Sequence, residues 1–473
     1  MTAHPNILVI LTDQQRSDSL GSVGWTGIKT PHLDRLAASG VHFTGAVCES
    51  PECVPARATI LTGLPPHLSG VHSNSTTLRS GEWTFPRALR DAGYRTWAIG
   101  KQHFRPHRAD HGFDRLVLGE PKATQDDDYL DFLDEHGFGW VDEPWGVRSD
   151  SYYIPQPSQL PDSHHITTWT GDRTIALLGE SAPANAPFLG MVGFLKPHPP
   201  FDPTVPFARL YDPEIVPPPI DAGGQLDPFP VEVAQRFMKW REETSPALAQ
   251  TLRAHYLGSV TQVDVQIGRI LEAVDSLGLA ERTVIVFLSD HGELLGDHGL
   301  WGKRSYLRGS CEIPLIICDP TRASSDPIAD QIASQCDLAP TILAAAGCPI
   351  PPHLPGRDLL SAVESPPPSG LTGTYAAGPL GVVSRLTARW RWSYSVAAGR
   401  ERLFDLAADP NETNNLAIAE PDHPELVTSR CAVIAELSVS GDRLGMLDGK
   451  VLARSSDEAV RALFGRNRQR GRR

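Results

Sequence analysis

The apolar positions of the chain alternate between two kinds of pattern. Residues 7–11 and 284–288 are unbroken apolar runs, and residues 94–99 and 187–194 have a similar short, strand-like character. Unbroken runs of this length predict strands buried on both sides, as in the sheet of an α/β protein. Residues 41–43 and 313–317 predict two more strands. Between them, residues 30–40 carry Pro31 near the start and Gly40 at the end, the two bounds of a helix. Residues 85–92, a stretch opening at Thr168, and residues 337–346 predict further helices. Residues 247–278 predict a long one, with Tyr256, Val260, Val263, Ile267, Ile270 and Leu271 at helical spacing as core positions. Such alternation predicts a layered α/β domain with a large sheet flanked by helices.

The pattern changes late in the chain. Proline-rich residues 349–357 and 365–370 read as linkers. Residues 372–376, 381–385 and 390–395 predict short strands, and a helix follows near residues 423–437. The expected organisation is therefore a larger α/β domain over residues 1–364, a C-terminal α+β subdomain over residues 371–464 with a small antiparallel sheet and a helix, and a basic, solvated tail over residues 465–473. Residues 120–186 give a weaker signal: Trp140, Trp145, Tyr152 and Tyr153 stand among prolines, either as walls of a substrate pocket or as anchors of a long loop.

Composition narrows the classes. A net charge of −13 over 473 residues argues against a general binder of nucleic acid or of anionic membranes. No window is long and apolar enough to cross a bilayer. The chain runs from its first residues straight into an apolar strand without a basic leader, and the seven cysteines are scattered with no C-x-x-C pair. A cytoplasmic location is the expectation. Asn411-Glu412-Thr413 has the glycosylation pattern, which a cytoplasmic protein would not use.

The candidate chemistry lies where the strand-like runs end. Cys53-Val54-Pro55-Ala56-Arg57 places a thiol before a proline suited to a first helical turn, with an arginine one turn in. The positive end of a helix together with Arg57 suits a tetrahedral anion. Asp13 and Gln14 follow the first run, at the strand end where open α/β sheets bind ligands, although a helix cap explains them equally. Lys101 and His103 follow the run 94–99, and in extended chain they project to one side. A surface pair is the plainer alternative. His198 stands between Pro197 and Pro199, and Asp290 and His291 follow the run 284–288, with Lys303 a little further on.

Cys53-x-Pro55-x-Arg57 with the following Leu61-Thr62-Gly63 resembles the signature of the type I sulfatases, of the alkaline phosphatase superfamily. Residues 289–303 resemble the metal loop of that family, and residues 402–412 its C-terminal signature. The resemblance covers most of the first three quarters of the chain. It implies an alkaline-phosphatase-like fold and a sulfuric ester hydrolase in which Cys53 is oxidised by a formylglycine-generating enzyme. The aldehyde hydrate is then the nucleophile, and its second hydroxyl expels sulfate.

By the same resemblance Asp13, Gln14, Asp290 and His291, together with the residue made from Cys53, hold one divalent metal. Arg57, Lys101 and Lys303 stabilise sulfuryl charge, His198 protonates the departing alcohol, and His103 drives sulfate release. Many members use three Asp and an Asn; Gln14 and His291 depart from this. Calcium is the first expectation, and the nitrogen ligand and the lost carboxylate move preference toward manganese or another transition metal, with magnesium also open. The substrate expected is a small-molecule or saccharide sulfate ester. Gln14 and His291 also resemble the phosphonate monoester and phosphodiester hydrolases of the superfamily, which is the alternative activity. A binding protein with an unmodified Cys53 is the non-enzymatic one.

Overall fold

The structure, a computed structural model, describes residues 4–121, 125–147, 152–184, 186–223, 226–239, 244–322, 328–361, 370–375 and 380–439. Its large sheet has eight strands: β1 Asn6–Asp13, β2 Val41–Val47, β3 Arg95–Gly100, β4 Arg115–Leu118, β5 Phe188–Pro197, β6 Thr283–Ser289, β7 Leu315–Cys318 and β8 Ile328–Ser334. They lie in the order β4-β3-β5-β1-β6-β7-β2-β8. The first five in this order are parallel, and β7 alone runs against its neighbours.

The unbroken apolar runs are explained by burial on two faces. Residues 7–11 are all fully buried. Ile7, Val9 and Leu11 enter one core, and Leu8 and Ile10 enter the other. In β6, Val284, Val286 and Leu288 join the first core, and Ile285 and Phe287 the second. Helices Pro31–Ser39, Ile166–Ser181 and Pro246–Ser276 cover the second face. Helices Cys53–Thr62, Phe85–Asp91 and Leu338–Ala345 cover the first. A strand with side chains of both parities buried needs a helix layer on each side, so three layers follow from the pattern.

The second sheet is antiparallel with the order β12-β11-β10-β9, from β9 Leu371–Tyr375, β10 Val382–Leu386, β11 Trp390–Ser395 and β12 Arg400–Asp405. Val382 packs into the core of the large sheet, whereas its neighbour Val383 faces Trp392, Leu403 and helix Pro424–Val439. Strand β12 has no counterpart among the predicted strands. Arg402 of β12 pairs with the buried Glu232, which also accepts the Ser305 hydroxyl and the Phe229 N–H. Arg391 of β11 donates to the Tyr306 carbonyl at 3.0 Å and pairs with Glu312. The small sheet therefore props the loop that carries residues 303–306.

The stretch 349–357 is not a free linker. Leu354 is buried in the main core, and a side chain on Gly356 would come within 2.1 Å of the Cys336 carbonyl oxygen. Proline there sets the route of a packed segment. Residues 365–369 of the second proposed linker, Ala376, and the segment 440–473 with the basic tail lie outside the described residues. Among the described residues, no helix is long and apolar enough to cross a membrane.

Candidate active site

Four adjacent parallel strands, β3, β5, β1 and β6, end on one edge of the sheet, where Lys101, His198, Asp13 and Asp290 stand. Thr12 pairs with Ser289 across β1 and β6, so Asp13 and Asp290 fall side by side. Asp290 donates its backbone N–H to the Thr12 carbonyl at 3.2 Å, and its carboxylate accepts the backbone N–H groups of Gln14 at 3.0 Å and His291 at 2.9 Å. The chain turns sharply here: Gln14 adopts φ 68°. A side chain in that region is strained and needs its surroundings to hold it.

Cys53 comes to this edge as the first residue of helix Cys53–Thr62, after Glu52 as N-cap. The helix ends at Gly63, whose φ of 65° lets its N–H close on the Thr59 carbonyl. The Cys53 sulfur lies 2.8 Å from Lys303 Nζ, 3.4 Å from His291 Nε2, 3.8 Å from Lys101 Nζ and 3.9 Å from Asp13 Oδ1. Lys101 also pairs with Asp13, and Lys303 Nζ lies 3.0 Å from His291 Nε2. His103 and His198 also stand beside the sulfur.

Three cations, Lys101, Lys303 and Arg57, thus surround two carboxylates, Asp13 and Asp290, and the thiol. Burial pushes the Cys53 thiol up, but Lys101, Lys303 and His291, with the His103 hydrogen bond, together hold it well below the ordinary thiol value. For Asp13, burial and Cys53 push upward, and Lys101, His198 and Lys303 overcome them, so this carboxyl sits well below its ordinary value. Burial and the neighbouring Asp13 push Asp290 up. Burial drives His198 well below the ordinary histidine range. Its Nδ1 lies 2.6 Å from the Pro199 carbonyl, the place for a proton on that nitrogen.

A metal fits this arrangement. Asp13, Cys53, Asp290 and His291 each turn a ligand atom into a space where all four atoms lie within 4.8 Å of one another. His291 Nδ1 is 3.0 Å from the Gly292 carbonyl, which leaves Nε2 as the ligand nitrogen. Burial lowers His291 and Asp290 raises it, with a net rise that a cation at Nε2 would reverse by displacing the proton. Gln14 Oε1 is buried without a hydrogen-bond partner, so its lone pairs are available to a cation.

All the residues proposed from the sequence are brought to this edge, with two changes. Arg57 does not present its guanidinium to open space. Its Nε donates to Asp290 at 3.0 Å, Nη2 to Asp13 at 3.2 Å and Nη1 to the Lys101 carbonyl at 2.7 Å, so it braces the two carboxylates. Lys101 and His103 do not share a side by extended geometry. Gly100 and His103 have φ of 75° and 63°, and Glu120 holds the turn by accepting the N–H groups of Gln102 and His103, both at 2.6 Å.

Several site residues were missed. Glu293 and Tyr153 hold the Gln14 amide, and Tyr152 places its hydroxyl 3.4 Å from His198 Nε2. The D-H-G-E run was the one available signal for Glu293. Of the aromatics between 120 and 186, Trp145 and Tyr153 are buried anchors, and Trp140 is 72% exposed.

A charged, buried edge of this kind defines an α/β protein whose site suits a tetrahedral anion beside a cation. Residues 5–348 match the Sulfatase family model. An arylsulfatase of Clostridium perfringens is 30% identical over 472 residues, covering 95% of this chain and 97% of that protein. An N-acetylglucosamine-6-O-sulfatase of Bacteroides thetaiotaomicron is 27% identical, covering 77% and 72% respectively. The solved phosphonate monoester hydrolase of Agrobacterium radiobacter superposes with a TM-score of 0.76 at 25% identity, over 92% of this chain and 95% of that one. The chain belongs to the sulfatase family, and it is a sulfuric ester hydrolase of alkaline-phosphatase-like fold.

Proposed function

We propose that this sulfatase works through Cys53 after its conversion to formylglycine, on a small-molecule or saccharide sulfate ester. The observation that supports it is the convergence of Lys101, Lys303, His103, His198, His291 and Asp13 on the single Cys53 sulfur. The aldehyde hydrate supplies one hydroxyl to attack sulfur and a second whose deprotonation later expels sulfate. Asp13, Gln14, Asp290 and His291 would hold a divalent cation, which would supply polarisation of the sulfate oxygens and acidify the attacking hydroxyl. Calcium is the first choice, and the imidazole of His291 moves preference toward manganese or another transition metal.

Lys303 and Lys101 then face the sulfate oxygens, where fixed cations lower the energy of the charge that develops. Arg57 braces the two carboxylates and offsets their mutual repulsion. His198 faces the departing alcohol with Nε2. In the free protein burial keeps the ring neutral with its proton on Nδ1, so the anionic ester is what favours the imidazolium and arms Nε2 as an acid. His103 takes the proton from the second hydroxyl as the bond to sulfate breaks.

A cytoplasmic enzyme that engages neither nucleic acid nor membrane and depends on a formylglycine-generating enzyme completes the proposal. All seven cysteines are free, in keeping with a reducing compartment. The test is the mass of the tryptic peptide carrying Cys53 after coexpression with a formylglycine-generating enzyme. A loss of about 18 Da relative to the thiol is expected; an unchanged thiol overturns the proposal. Sulfate, phosphonate and phosphodiester esters of one phenol then separate the activities, with the sulfate expected to be turned over fastest.

A further inference from the structure

Gln14 is held at every polar atom except one. Its backbone N–H donates to Asp290 at 3.0 Å, and its carbonyl accepts the Tyr256 hydroxyl at 3.0 Å. Its side-chain Nε2 donates to Glu293 Oε2 and lies 3.4 Å from the Tyr153 hydroxyl. Oε1 is the buried atom left without a partner. Glu293 is itself fully buried and filled: Oε1 accepts the N–H groups of Leu295 at 3.0 Å and Gly302 at 2.5 Å, and Oε2 accepts Gln14 and the Tyr153 hydroxyl at 2.8 Å.

A carboxylate accepts and cannot donate, so it attracts the NH2 end of a facing amide and repels the oxygen end. With four donors already on it, Glu293 is not itself available as a ligand. We infer that Glu293, steadied by Tyr153, is a positioning residue that sets the Gln14 amide so that its oxygen and not its nitrogen is offered to the cation held with Asp13, Asp290 and His291. The inference rests on the metal reading above and adds its orientation control. It also accounts for a neutral amide at a ligand position: a carboxylate at position 14 would stand against Glu293 with no proton between them.

The test is calorimetric titration of Mn2+ and of Ca2+ into chelator-stripped protein, with circular dichroism to confirm folding. Glu293→Gln keeps the acceptor for Leu295 and Gly302 but turns a donor toward Gln14, which then flips. Metal affinity is expected to fall about 10- to 100-fold. Adding Gln14→Glu to that variant restores an acceptor facing the new amide, and most of the affinity returns. Gln14→Glu alone binds no tighter than wild type at pH 7 in spite of its added charge. Wild-type affinity in Glu293→Gln, no rescue in the double variant, or tighter binding by Gln14→Glu alone overturns the inference. The last measurement decides the matter if Glu293→Gln does not fold. No binding by the wild type is a distinct outcome that overturns the metal reading itself and this inference with it.

Discussion

Cys53 Sγ and Lys303 Nζ, 250 positions apart in the chain, lie 2.8 Å from each other. Lys303 follows a loop that is tied to the Cys53 helix through the next residue: Arg304 pairs with Glu52, the N-cap of that helix. Lys303 and Cys53 are thereby positioned by one local clamp. Lys303→Met is expected to lower kcat about 10²- to 10³-fold while leaving the fold intact, as loss of one fixed charge from a developing anion does. Steady-state kinetics with an aryl sulfate, beside a thermal melt, checks it; an unchanged kcat removes Lys303 from the reaction.

Tyr152 and His198 meet at 3.4 Å, hydroxyl to Nε2. If His198 delivers the proton to the alcohol, its neighbour matters only when that proton is needed. Tyr152→Phe is expected to slow alkyl sulfates about tenfold and to leave esters of acidic phenols nearly unchanged. A plot of log kcat against leaving-group pKa, steeper in the variant, is the readout. Parallel slopes would place Tyr152 outside proton delivery.

Gly193 sits under Lys101. A side chain added there would come within 2.0 Å of the Lys101 carbonyl oxygen, the same atom that accepts from Arg57. Gly193→Ala is expected to cost about 1–3 kcal/mol of stability as an overpacked core position. Because the strain falls on the Lys101 and Arg57 contact, activity should fall further than stability does. Equal residual activity per folded molecule would show that the site absorbs the shift.

Asp264 accepts the N–H groups of His32 and Leu33 at the start of helix Pro31–Ser39, yet burial raises its pKa to about 7. A carboxyl whose folded value is raised binds its proton more tightly folded than unfolded. Its contribution to stability is complete below the unfolded value and is lost as pH rises toward 7. Compared with Asp264→Asn, the wild type is expected to lose on the order of 1 kcal/mol per pH unit between pH 4 and 7. Urea unfolding of both proteins across that range checks it; parallel curves would contradict it.

Much of the site was legible because its residues follow strand-like runs. The residues after 11, 99, 194 and 288 belong to strands whose parallel arrangement carries them to one edge, and the helix signature at Cys53 stands apart in the chain. The less legible parts lie in irregular chain. Tyr152, Tyr153 and Glu120 show no periodicity, since coil side chains are placed by the surfaces they meet and not by a repeat. Strand β12 escaped notice because it is an edge strand of six residues, with only β11 beside it.

By itself the chain determined the three-layer arrangement, since a strand apolar at both parities must be covered twice, and it determined the family, since its motifs are local. Only the tertiary structure decided how those motifs act on one another. It turned Arg57 onto Asp13 and Asp290, replaced an extended Lys101-to-His103 segment by a turn on Glu120, and set Glu293 against Gln14. Orientation of a polar side chain depends on donors and acceptors that arrive from distant segments, and that meeting exists only once the strands are in register.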